Sequence, residues 1–521
     1  MDFQSLADIP RHYAVASPSH IALQYQSRRT TYAQWDLISN RVAHALESAG
    51  VTAGARVGYL GKNSDVFFHV LFGCAKIGAV LVPINWRLAL PEICFIVKDA
   101  ECKLLLIGPE FESLIDALRS ECPDLRTIVG IEDPASSAIS FPNWIAGAPE
   151  TDPKHPVAND DVVLQLYTSG TTGLPKGAQL THRNLLFSTR LSQTAPLGHW
   201  RGDDICVLPL PLFHAGGVVF GLNTPHAGGT VVVVREAQPS LILDAFKNAP
   251  GLVTRLGVVP ALITPILDHP DFPTADFSSL RTLTYGGSPV SPSVLQRAVD
   301  RIGPVLLQLF GMTETATVGT ALLPADHDPR NVARLGSCGR VLPGVDIQIV
   351  DACGKPVETG QSGEIQIRCG AVMSGYWNRP EATSAALENG WYHSGDIGYF
   401  DADGYLYIRD RLKDMIISGG ENVYPAEVER ALLEHPAIAD VAIFGIPDPK
   451  WGEAVKAAVV LRPTQSLSQE DLIGFAQSRL AGFKCPKSVD FIAELPRNAS
   501  GKVLKRVLRE PYWTGTSRNV N

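Results

Sequence analysis

Helical and strand-like segments alternate along residues 31–150, and this alternation constrains the fold more than any other feature of the sequence. The segment TYAQWDLISNRVAHALESAG (31–50) has a helical period and ends at Gly50, a residue type that commonly closes helices. The segments that follow indicate a buried strand at 56–60, a helix and then a strand within 65–85, and short strands at 101–107 and 126–130. This alternation predicts a parallel sheet with helices on its faces.

A second α/β unit is expected over residues 205–320, where apolar runs such as GTVVVV (229–234) and LRTLTYGGSP (280–289) recur. From 335 to 410, short strands are separated by glycine turns, which is typical of an antiparallel, barrel-like segment. A chain of 521 residues is too long for one core. We therefore predict an α/β fold with a large N-terminal domain (1–410), a hinge (411–414) and a small mobile α+β C-terminal domain (415–521). The large domain is expected to hold two α/β sheet subdomains and a small β-barrel-like subdomain.

Composition and the chain termini narrow the class of protein. The net charge is −8 and no basic face stands out, so no nucleic-acid partner is expected. Nine scattered cysteines without a CxxC pair indicate free thiols in a reducing compartment. The N-terminus does not resemble a signal peptide, the last three residues are not a peroxisomal address, and no apolar run reaches about 18 residues. A cytoplasmic enzyme without a transmembrane segment is therefore expected.

The stretch YTSGTTGLPKG (167–177) follows an apolar run and combines hydroxyl side chains, glycines and a lysine. A loop of this kind, between a strand and a later helix capped by Thr181, can gather backbone N–H groups around a phosphate. It does not match the P-loop GxxxxGK[ST], because Pro175 takes the second glycine position and Gly177 the hydroxyl position. Kinase landmarks such as HRD and DFG are also absent from the sequence.

This stretch resembles the phosphate-binding signature of the adenylate-forming superfamily, which includes the acyl-CoA synthetases. The similarity runs from about residue 30 to 508, and further motifs resemble that superfamily in the same order: LPLPLFHAGG (208–217), YGGSPVS (285–291), LFGMTET (309–315), GWYHSGDIGYFDADGYLYIRDRLKDMI (390–416), SGGENVYPAEVE (418–429) and LPRNASGKVLKR (495–506). The run LKDMIISGGENVYPAEVE is most similar to the fatty-acyl and aryl-acid CoA ligases.

The resemblance implies a two-step reaction with ATP, Mg²⁺ and coenzyme A (CoA). A carboxylate attacks the α-phosphorus of ATP to give acyl-AMP and pyrophosphate, and the CoA thiol then attacks the acyl carbon and releases AMP. Because a carboxylate is already anionic near pH 7, the first step needs neutralisation of phosphate charge and no general base.

The implied catalytic residues are Lys502, which would bridge the carboxylate and the α-phosphate, Lys176 as a phosphate clamp, and His214 between the acyl pocket and the nucleotide. The implied metal ligands are Glu314 and Thr168. The residues implied to bind ATP or AMP are Thr168, Ser169, Gly170, Thr171, Thr172, Gly173, Lys176, Gly286, Gly287, Ser288, Gln308, Leu309, Phe310, Gly311, Met312, Thr313, Asp396, Ile408, Arg411 and Lys502.

The resemblance also places the acyl and CoA sites. The implied acyl pocket comprises His214, Ala215, Gly216, Val219, Gly311, Met312, Thr317, Val318 and Gly319. The implied CoA or pantetheine contacts are Ser418, Gly419, Gly420, Lys484 and Lys487, with Lys413 as the hinge residue. No lysine or arginine lines the acyl pocket, so the substrate is expected to be a hydrophobic monocarboxylate.

The glycines of this pocket indicate room for a medium or long acyl chain, so we predict a fatty acid–CoA ligase. An aryl acid such as a cinnamate, ferulate or benzoate fits the same residues, and a carrier-protein-loading enzyme is a further alternative. A luciferase-type oxygenase shares the motifs, and a degenerate binding protein is disfavoured because Lys176, Glu314, Asp396, Arg411 and Lys502 are all present. A fatty substrate is compatible with peripheral membrane contact, although no amphipathic basic helix stands out, and monomer and homodimer stay open.

Overall fold

A computed structural model describes residues 2–132, 138–168, 174–194, 197–288, 290–328, 330–418, 421–497 and 503–513. The chain divides into two compact units. The first unit comprises 1–347, 367–392 and 404–406, and the second comprises 348–366, 393–403 and 407–521. The domain boundary and hinge at 411–414 stay a prediction.

The strands of the described residues, numbered along the chain, are β1 (Ile21–Tyr25), β2 (Arg28–Thr31), β3 (Arg56–Leu60), β4 (Val80–Pro83), β5 (Leu104–Ile107), β6 (Thr127–Gly130), β7 (Ile139–Ser140), β8 (Val162–Thr168), β9 (Lys176–Thr181), β10 (Ile205–Leu208), β11 (Thr230–Val233), β12 (Arg255–Val258), β13 (Thr282–Gly286), β14 (Leu306–Phe310), β15 (Thr320–Leu322), β16 (Arg340–Val341), β17 (Asp346–Val350), β18 (Gly363–Arg368), β19 (Gly375–Tyr376), β20 (Leu387–Glu388), β21 (Trp391–Phe400), β22 (Leu406–Arg411), β23 (Ile416–Ser418), β24 (Glu421–Val423), β25 (Ile438–Asp448), β26 (Gly452–Leu461) and β27 (Ser488–Phe491).

The helices are α1 (Asp8–Ala16), α2 (Tyr32–Ser48), α3 (Asp65–Ile77), α4 (Leu90–Asp99), α5 (Ile115–Glu121), α6 (Phe141–Ile145), α7 (His182–Ser192), α8 (Ala215–His226), α9 (Pro239–Asn248), α10 (Pro260–Leu267), α11 (Pro292–Ile302), α12 (Val332–Leu335), α13 (Pro380–Ala386), α14 (Pro425–Leu433), α15 (Gln469–Gln477) and α16 (Lys505–Arg509). Short 3₁₀ helices occupy Pro109–Leu114, Phe272–Thr274, Thr313–Thr315, Pro324–Asp326, Leu412–Asp414 and Glu510–Tyr512. No helix in these described ranges is long and apolar enough to cross a membrane.

Two mixed sheets form the first unit. One has eight strands in the order β19-β9-β8-β4-β3-β5-β6-β7, and its strands from β8 to β7 pair in parallel. The other has nine strands in the order β16-β15-β14-β13-β12-β10-β11-β1-β2, with parallel pairing from β14 to β1. The predicted parallel sheets are therefore confirmed for the interior strands. Both sheets carry antiparallel strands at their edges.

Helix α3 explains how the first unit is packed. All thirteen of its residues are buried, which is typical of a helix that is apolar on every side and enclosed by other elements. Helix α2 lies against it, and a Cβ on Gly73 would approach Val42 Cγ1 to 2.4 Å, so glycine permits this close helix contact. Burial of each large side chain, such as Phe67 or Phe72, contributes about 1.5–3 kcal/mol.

A third sheet, curled and antiparallel, has the order β17-β18-β21-β20 with β22 paired to β21, and confirms the predicted barrel-like segment as a half-barrel. The small C-terminal β domain contains a five-stranded sheet of order β24-β23-β26-β25, with β27 paired to β26. Alternate residues of β25 enter different cores: Val441 and Ile443 pack in one, Ala442 and Phe444 in the other. This sheet is thus covered on both faces, which explains its continuous apolar runs.

Candidate active site

The phosphate-loop motif joins two antiparallel strands of the first unit. Strand β8 ends at Thr168 and β9 begins at Lys176, and the register places these two residues opposite each other. Helix α7 starts only after β9, where the Oγ1 of Thr181 accepts a hydrogen bond from Asn184 N at 3.2 Å, so the predicted cap is confirmed. The expected later helix is therefore present, and the hairpin strand β9, which was not predicted, lies between the loop and this helix.

The two predicted metal ligands lie together in the first unit. Glu314 sits in the 3₁₀ helix Thr313–Thr315 and is only 8% exposed. Its Oε1 accepts hydrogen bonds from Thr168 Oγ1 at 3.3 Å and from the Tyr376 hydroxyl at 2.9 Å. The Nζ of Lys176 lies 5.4 Å from the centroid of the same tyrosine ring. Tyr376 was not predicted as a site residue, and no local pattern in the sequence singles it out.

These oxygen donors suit a hard cation such as Mg²⁺, which takes one or two carboxylates and completes its shell with phosphate oxygens and water. Among the described residues, no three His, Cys, Asp or Glu side chains form a metal cluster. A magnesium ion held at Glu314 would therefore depend on ATP for part of its coordination. The donor set fits the metal that the motif implies.

Two segments implied to bind ATP or AMP lie at the ends of β13 and β14, which run parallel with Gly286 opposite Leu309. A Cβ on Gly286 would lie 2.4 Å from the carbonyl oxygen of Leu309, so this glycine is needed for strand packing. Gly287 has a φ of +84°, which favours glycine, and a Cβ there would meet no heavy atom within 4 Å. Exposed backbone at Gly287 and Ser288 is thus available to a base. The half-buried residues that follow on β14 and beyond it are Gln308, Leu309, Phe310, Gly311, Met312 and Thr313.

A buried chain of hydrogen bonds holds Gln308 on β14 in place. His327 Nδ1 lies 2.8 Å from the carbonyl oxygen of Leu323, so this nitrogen carries the proton and Nε2 is an acceptor. The hydroxyl of Tyr285 lies 2.9 Å from that Nε2 and 3.3 Å from Gln308 Oε1. Burial lowers the pKa of His327, which favours this neutral state. Sequence reasoning missed His327, since a lone histidine outside a motif gives no signal.

The loop that carries His214 is fixed by an asparagine at the end of another strand. Asn63 Nδ2 donates to the carbonyl oxygens of Leu210 and Val234, both at 3.0 Å, and its Oδ1 accepts from Leu212 N at 3.0 Å. This buried side chain joins the loops after β3, β10 and β11. His214 is half-buried at the N-cap position of α8, beside the ring of Phe213. Asn63 was not predicted.

The glycines of the predicted acyl pocket differ in their surroundings. A Cβ on Gly311 would lie 2.3 Å from backbone atoms of Thr317, and one on Gly319 would lie 2.5 Å from Phe310 O. Backbone packing requires these two glycines, so the expectation that the glycines of this pocket indicate room is wrong at these two positions. Gly216, on α8, is different, since a Cβ there would meet nothing within 4 Å. Buried or half-buried neighbours in the predicted set are Ala215, Val219, Met312, Thr317 and Val318.

The second unit holds Asp396, Ile408 and Arg411, which are among the residues implied to bind ATP or AMP. Asp396 on β21 is 5% exposed, and its Oδ1 forms an ion pair with Arg411 Nε at 2.7 Å. Ser394 Oγ accepts from Asp396 N at 3.0 Å and donates to the Ile365 carbonyl at 2.6 Å, which holds the strand end in place. Ile408, on β22, is exposed. The structure thus brings Asp396 and Arg411 together within one unit.

Asp410, a residue that the sequence did not single out, connects β22 to helix α14. Its carboxylate accepts from Arg411 N at 2.7 Å and from Ala426 N at 2.6 Å, in the first turn of α14. Burial raises the pKa of Asp410 to about 6, and the nearby Lys505 charge opposes this rise. A buried carboxylate therefore holds the N-terminus of α14 beside the predicted hinge.

The predicted CoA residues that are described all lie in the second unit. Ser418 is buried at the end of β23. Lys484 Nζ pairs with Glu427 at 2.7 and 2.9 Å, and Lys487 Nζ donates to the Gly482 carbonyl at 2.8 Å. Lys413 lies in the 3₁₀ helix Leu412–Asp414. The predictions for Ser169, Gly170, Thr171, Thr172, Gly173, Gly419, Gly420, Lys502 and the side chain of Lys413 fall outside the described residues.

Comparison with known proteins decides the family. The family described as AMP-binding enzyme matches residues 11–377, and the AMP-binding enzyme C-terminal domain matches residues 427–502. The chain belongs to the adenylate-forming, AMP-binding superfamily. Membership makes it an adenylate-forming acid–thiol ligase that binds ATP and a carboxylic acid, with a CoA or carrier-protein thiol as acceptor.

Relatives within this superfamily differ in acid and in thiol. The chain is 41% identical to a fatty acid–[acyl-carrier-protein] ligase, ScoC, of Streptomyces coeruleorubidus, over 99% of this chain and 98% of that one. It is 40% identical to a feruloyl-CoA synthase of Amycolatopsis sp, over 98% and 99% respectively. The solved structure of a Mycobacterium tuberculosis fatty acyl CoA synthetase matches with a TM-score of 0.76 and 35% identity, over 98% and 99%.

Proposed function

We propose that this chain is an AMP-forming ligase that joins a medium- or long-chain fatty acid to CoA. The observation that carries the proposal is the open space at Gly216, beside His214 at the start of an apolar helix. In the first step the acid attacks the α-phosphorus of ATP, forming acyl-AMP and releasing pyrophosphate. In the second step the thiolate of CoA attacks the acyl carbon, and AMP leaves.

Charge neutralisation in the first step is assigned to groups of the first unit and, in addition, to Lys502. Lys176 and Thr168 flank the phosphate loop, and both approach the cluster around Glu314. Mg²⁺, when bound by Glu314 and the ATP phosphates, would withdraw part of the phosphate charge. Lys502 is proposed to bridge the carboxylate and the α-phosphate, as its motif implies.

The acyl chain is proposed to lie along the N-terminal part of α8. Val219 follows Gly216 by three residues on α8, a spacing that puts both on one face of the helix, and it is 3% exposed. The predicted lining contains no lysine or arginine that would pair with a second carboxylate. An apolar tail therefore gains hydrophobic free energy there, about 0.8 kcal/mol for each buried methylene, whereas a charged tail would be desolvated without a partner.

The acceptor is proposed to be CoA because much of the basic charge of the second unit is already compensated. An acidic carrier protein is recognised best by a basic surface. Among the described residues, the ion pairs that lysine and arginine form in this unit include Arg411–Asp396, Lys456–Asp490, Arg479–Glu434, Lys484–Glu427, Arg497–Asp440, Lys505–Glu429 and Arg509–Asp414. The alternatives keep support of their own: similarity to ScoC favours a carrier protein, and similarity to the feruloyl-CoA synthase favours an aryl acid.

A pyrophosphate-release assay tests the proposal. Saturated acids from two to twenty carbons and a set of aryl acids are each assayed with CoA, with an acyl carrier protein bearing phosphopantetheine, and without a thiol. We expect the highest kcat/KM with a medium- or long-chain acid and CoA. Preference for ferulate or for the carrier protein would establish the corresponding alternative. Absence of acid-dependent pyrophosphate release would reject the ligase assignment itself.

The role of Lys502 is tested by separating the two half-reactions. Lys502→Ala is expected to abolish acyl-AMP formation and to leave the conversion of supplied acyl-AMP and CoA to acyl-CoA near the wild-type rate. Lys505→Ala is the matched control, because Lys505 is a neighbouring lysine that pairs with Glu429 at 2.8 Å. Equal loss of both half-reactions in the Lys502 variant would contradict the assigned role.

A further inference from the structure

Tyr376 lies on a short edge strand against the strand that leaves the phosphate loop. Strand β19 pairs with β9, with Tyr376 opposite Ala178. Side chains two residues apart on a strand share a face, so Lys176 and Ala178 point to the same side as Tyr376. This arrangement explains why Lys176 Nζ lies 5.4 Å from the Tyr376 ring centroid. An ammonium at that distance from an aromatic ring is attracted to it.

The hydroxyl of the same side chain reaches the predicted metal carboxylate. An ionised carboxylate only accepts, so the Tyr376 hydroxyl donates its one proton to Glu314 Oε1, at 2.9 Å. Tyr392, which is buried, also hydrogen-bonds to Tyr376 and therefore donates to its oxygen. Burial and the Glu314 charge raise the pKa of Tyr376 well above its ordinary value.

The contacts of Glu314 are one-sided. Within the described residues, both hydrogen bonds to this side chain, from Thr168 and Tyr376, end on Oε1. That pattern holds one carboxylate oxygen in place and leaves Oε2 to accept another partner. The ring of Tyr376 therefore lies near the ammonium group of Lys176, and its hydroxyl donates to the carboxylate of Glu314.

We propose that Tyr376 is a positioning residue that holds Glu314 in the orientation required for the ATP-bound metal and keeps Lys176 aligned with it. The inference rests on the proposed function, since it assumes that Glu314 meets Mg²⁺ and that Lys176 meets phosphate. Tyr376 itself touches neither ATP nor the metal in this role. Its hydroxyl acts on the metal contact and its ring acts on the phosphate contact, so the two effects are separable.

The test measures binding of α,β-methylene-ATP by calorimetry, with and without Mg²⁺, for wild type, Tyr376→Phe and Tyr376→Leu. Loss of a hydrogen bond to a charged group predicts that Tyr376→Phe lowers the Mg²⁺-dependent gain in affinity by about tenfold or more. Affinity without metal should stay within about twofold in that variant, because the ring is kept. Tyr376→Leu should also weaken metal-free binding, by about threefold, because the ring beside Lys176 is lost.

Two further variants keep the result interpretable. Tyr32→Phe is the matched control, because it removes another buried hydroxyl that donates to a backbone carbonyl, that of Gly229 at 2.7 Å, and should leave the Mg²⁺-dependent gain at its wild-type size. If Tyr376→Phe fails to fold, Tyr392→Phe removes the hydroxyl that donates to Tyr376 and should reduce the gain by about threefold.

An unchanged Mg²⁺-dependent gain in Tyr376→Phe, or in Tyr392→Phe where that variant replaces it, would overturn the inference. The inference would also be overturned if the wild type bound α,β-methylene-ATP equally well with and without Mg²⁺, because it assumes that Glu314 meets the metal. Acid-dependent pyrophosphate release is measured on the same wild-type preparation. Its presence would leave the ligase activity standing in either case, so failure of the inference and failure of the proposed function are distinguishable.

Discussion

Two adjacent glycines on α8 give the sharpest test of where the acyl chain binds. A Cβ at Gly216 would meet no heavy atom within 4 Å, whereas a Cβ at Gly217 would lie 2.2 Å from Pro211 O and 3.0 Å from Leu210 O. A side chain at 216 therefore enters open space, and one at 217 collides with backbone. Gly216→Ala and Gly217→Ala are thus a matched pair that differs only in the direction of the added methyl group, and Gly216→Leu fills more of the space at 216.

The magnitude follows from the volume that leucine fills. Its side chain adds four carbons, which displace about four methylenes of a long acyl chain. At about 0.8 kcal/mol for each methylene, about 3 kcal/mol of binding is lost, which corresponds to roughly a 150-fold fall in kcat/KM. Gly216→Ala displaces one methylene and should lower kcat/KM about fourfold. Replacing glycine within a helix also stabilises the helix by about 0.5–1 kcal/mol, so Gly216→Leu should fold normally.

The assay compares kcat/KM across saturated acids from four to eighteen carbons by pyrophosphate release. Gly216→Leu should lower kcat/KM for the long acids by about two orders of magnitude, and kcat/KM for the shortest acids should stay within about threefold of the wild-type value. Gly217→Ala should lower the melting temperature and affect every chain length equally. An equal effect of Gly216→Leu on all acids, or no effect, would refute the placement of the chain beside this residue.

Three further predictions concern residues that hold the site in place. Asn63→Ala leaves three polar backbone groups without their buried partner, so it should lower the free energy of unfolding by about 3 kcal/mol in urea titrations; a change below about 1 kcal/mol would contradict this. Asp396→Asn should weaken AMP binding about tenfold in calorimetry, since Arg411 loses a charged partner, whereas Asp346→Asn, on an exposed ion pair, should not. Burial raises the pKa of Asp410 to about 6 in the folded state, from its ordinary 3.8. The folded state therefore binds this proton more tightly than the unfolded state, which stabilises folding by about 3 kcal/mol below about pH 4. This stabilisation is lost as the pH rises through 6. Asp410→Asn should therefore flatten the pH dependence of unfolding between pH 4 and 7, and an unchanged slope would count against the raised pKa.

Local elements were predictable wherever the deciding interactions are local. Helix α2 was expected over 31–50 and spans Tyr32–Ser48, because Thr31 and Gln34 form a capping box at its start and Gly50, with a φ of +80°, follows its end. Strand β9 was missed because six residues after the phosphate loop pair with β8 and β19, a contact that no local pattern reveals. Strand β1 pairs with β11, some two hundred residues away, and β2 pairs with β1 at the edge, so both extend the nine-stranded sheet.

The site shows the same division between local and distant information. Resemblance to known motifs pointed to Glu314 and Thr168, which the structure places within hydrogen-bond distance although 146 residues separate them. It did not point to Tyr376, Asn63, His327 or Asp410, because each acts through a neighbour that the fold supplies. Positioning residues of this kind have ordinary local sequences, and only their partners give them a role.

The choice of acid is the property that is hardest to predict from the sequence, and the glycines of the predicted acyl pocket explain why. A reaction class depends on charged and hydroxyl groups whose chemistry is visible in the residue type. A pocket for an acyl chain depends partly on glycines, which have no side chain. Whether a glycine leaves space for a substrate depends on the atoms around it, and the sequence does not show these. At Gly311 and Gly319 a Cβ would collide with neighbouring backbone atoms, whereas at Gly216 it would meet no heavy atom within 4 Å. We therefore expect acid specificity in this chain to depend on the space beside Gly216, and the relatives at about 40% identity are named for different acids, a fatty acid and ferulate.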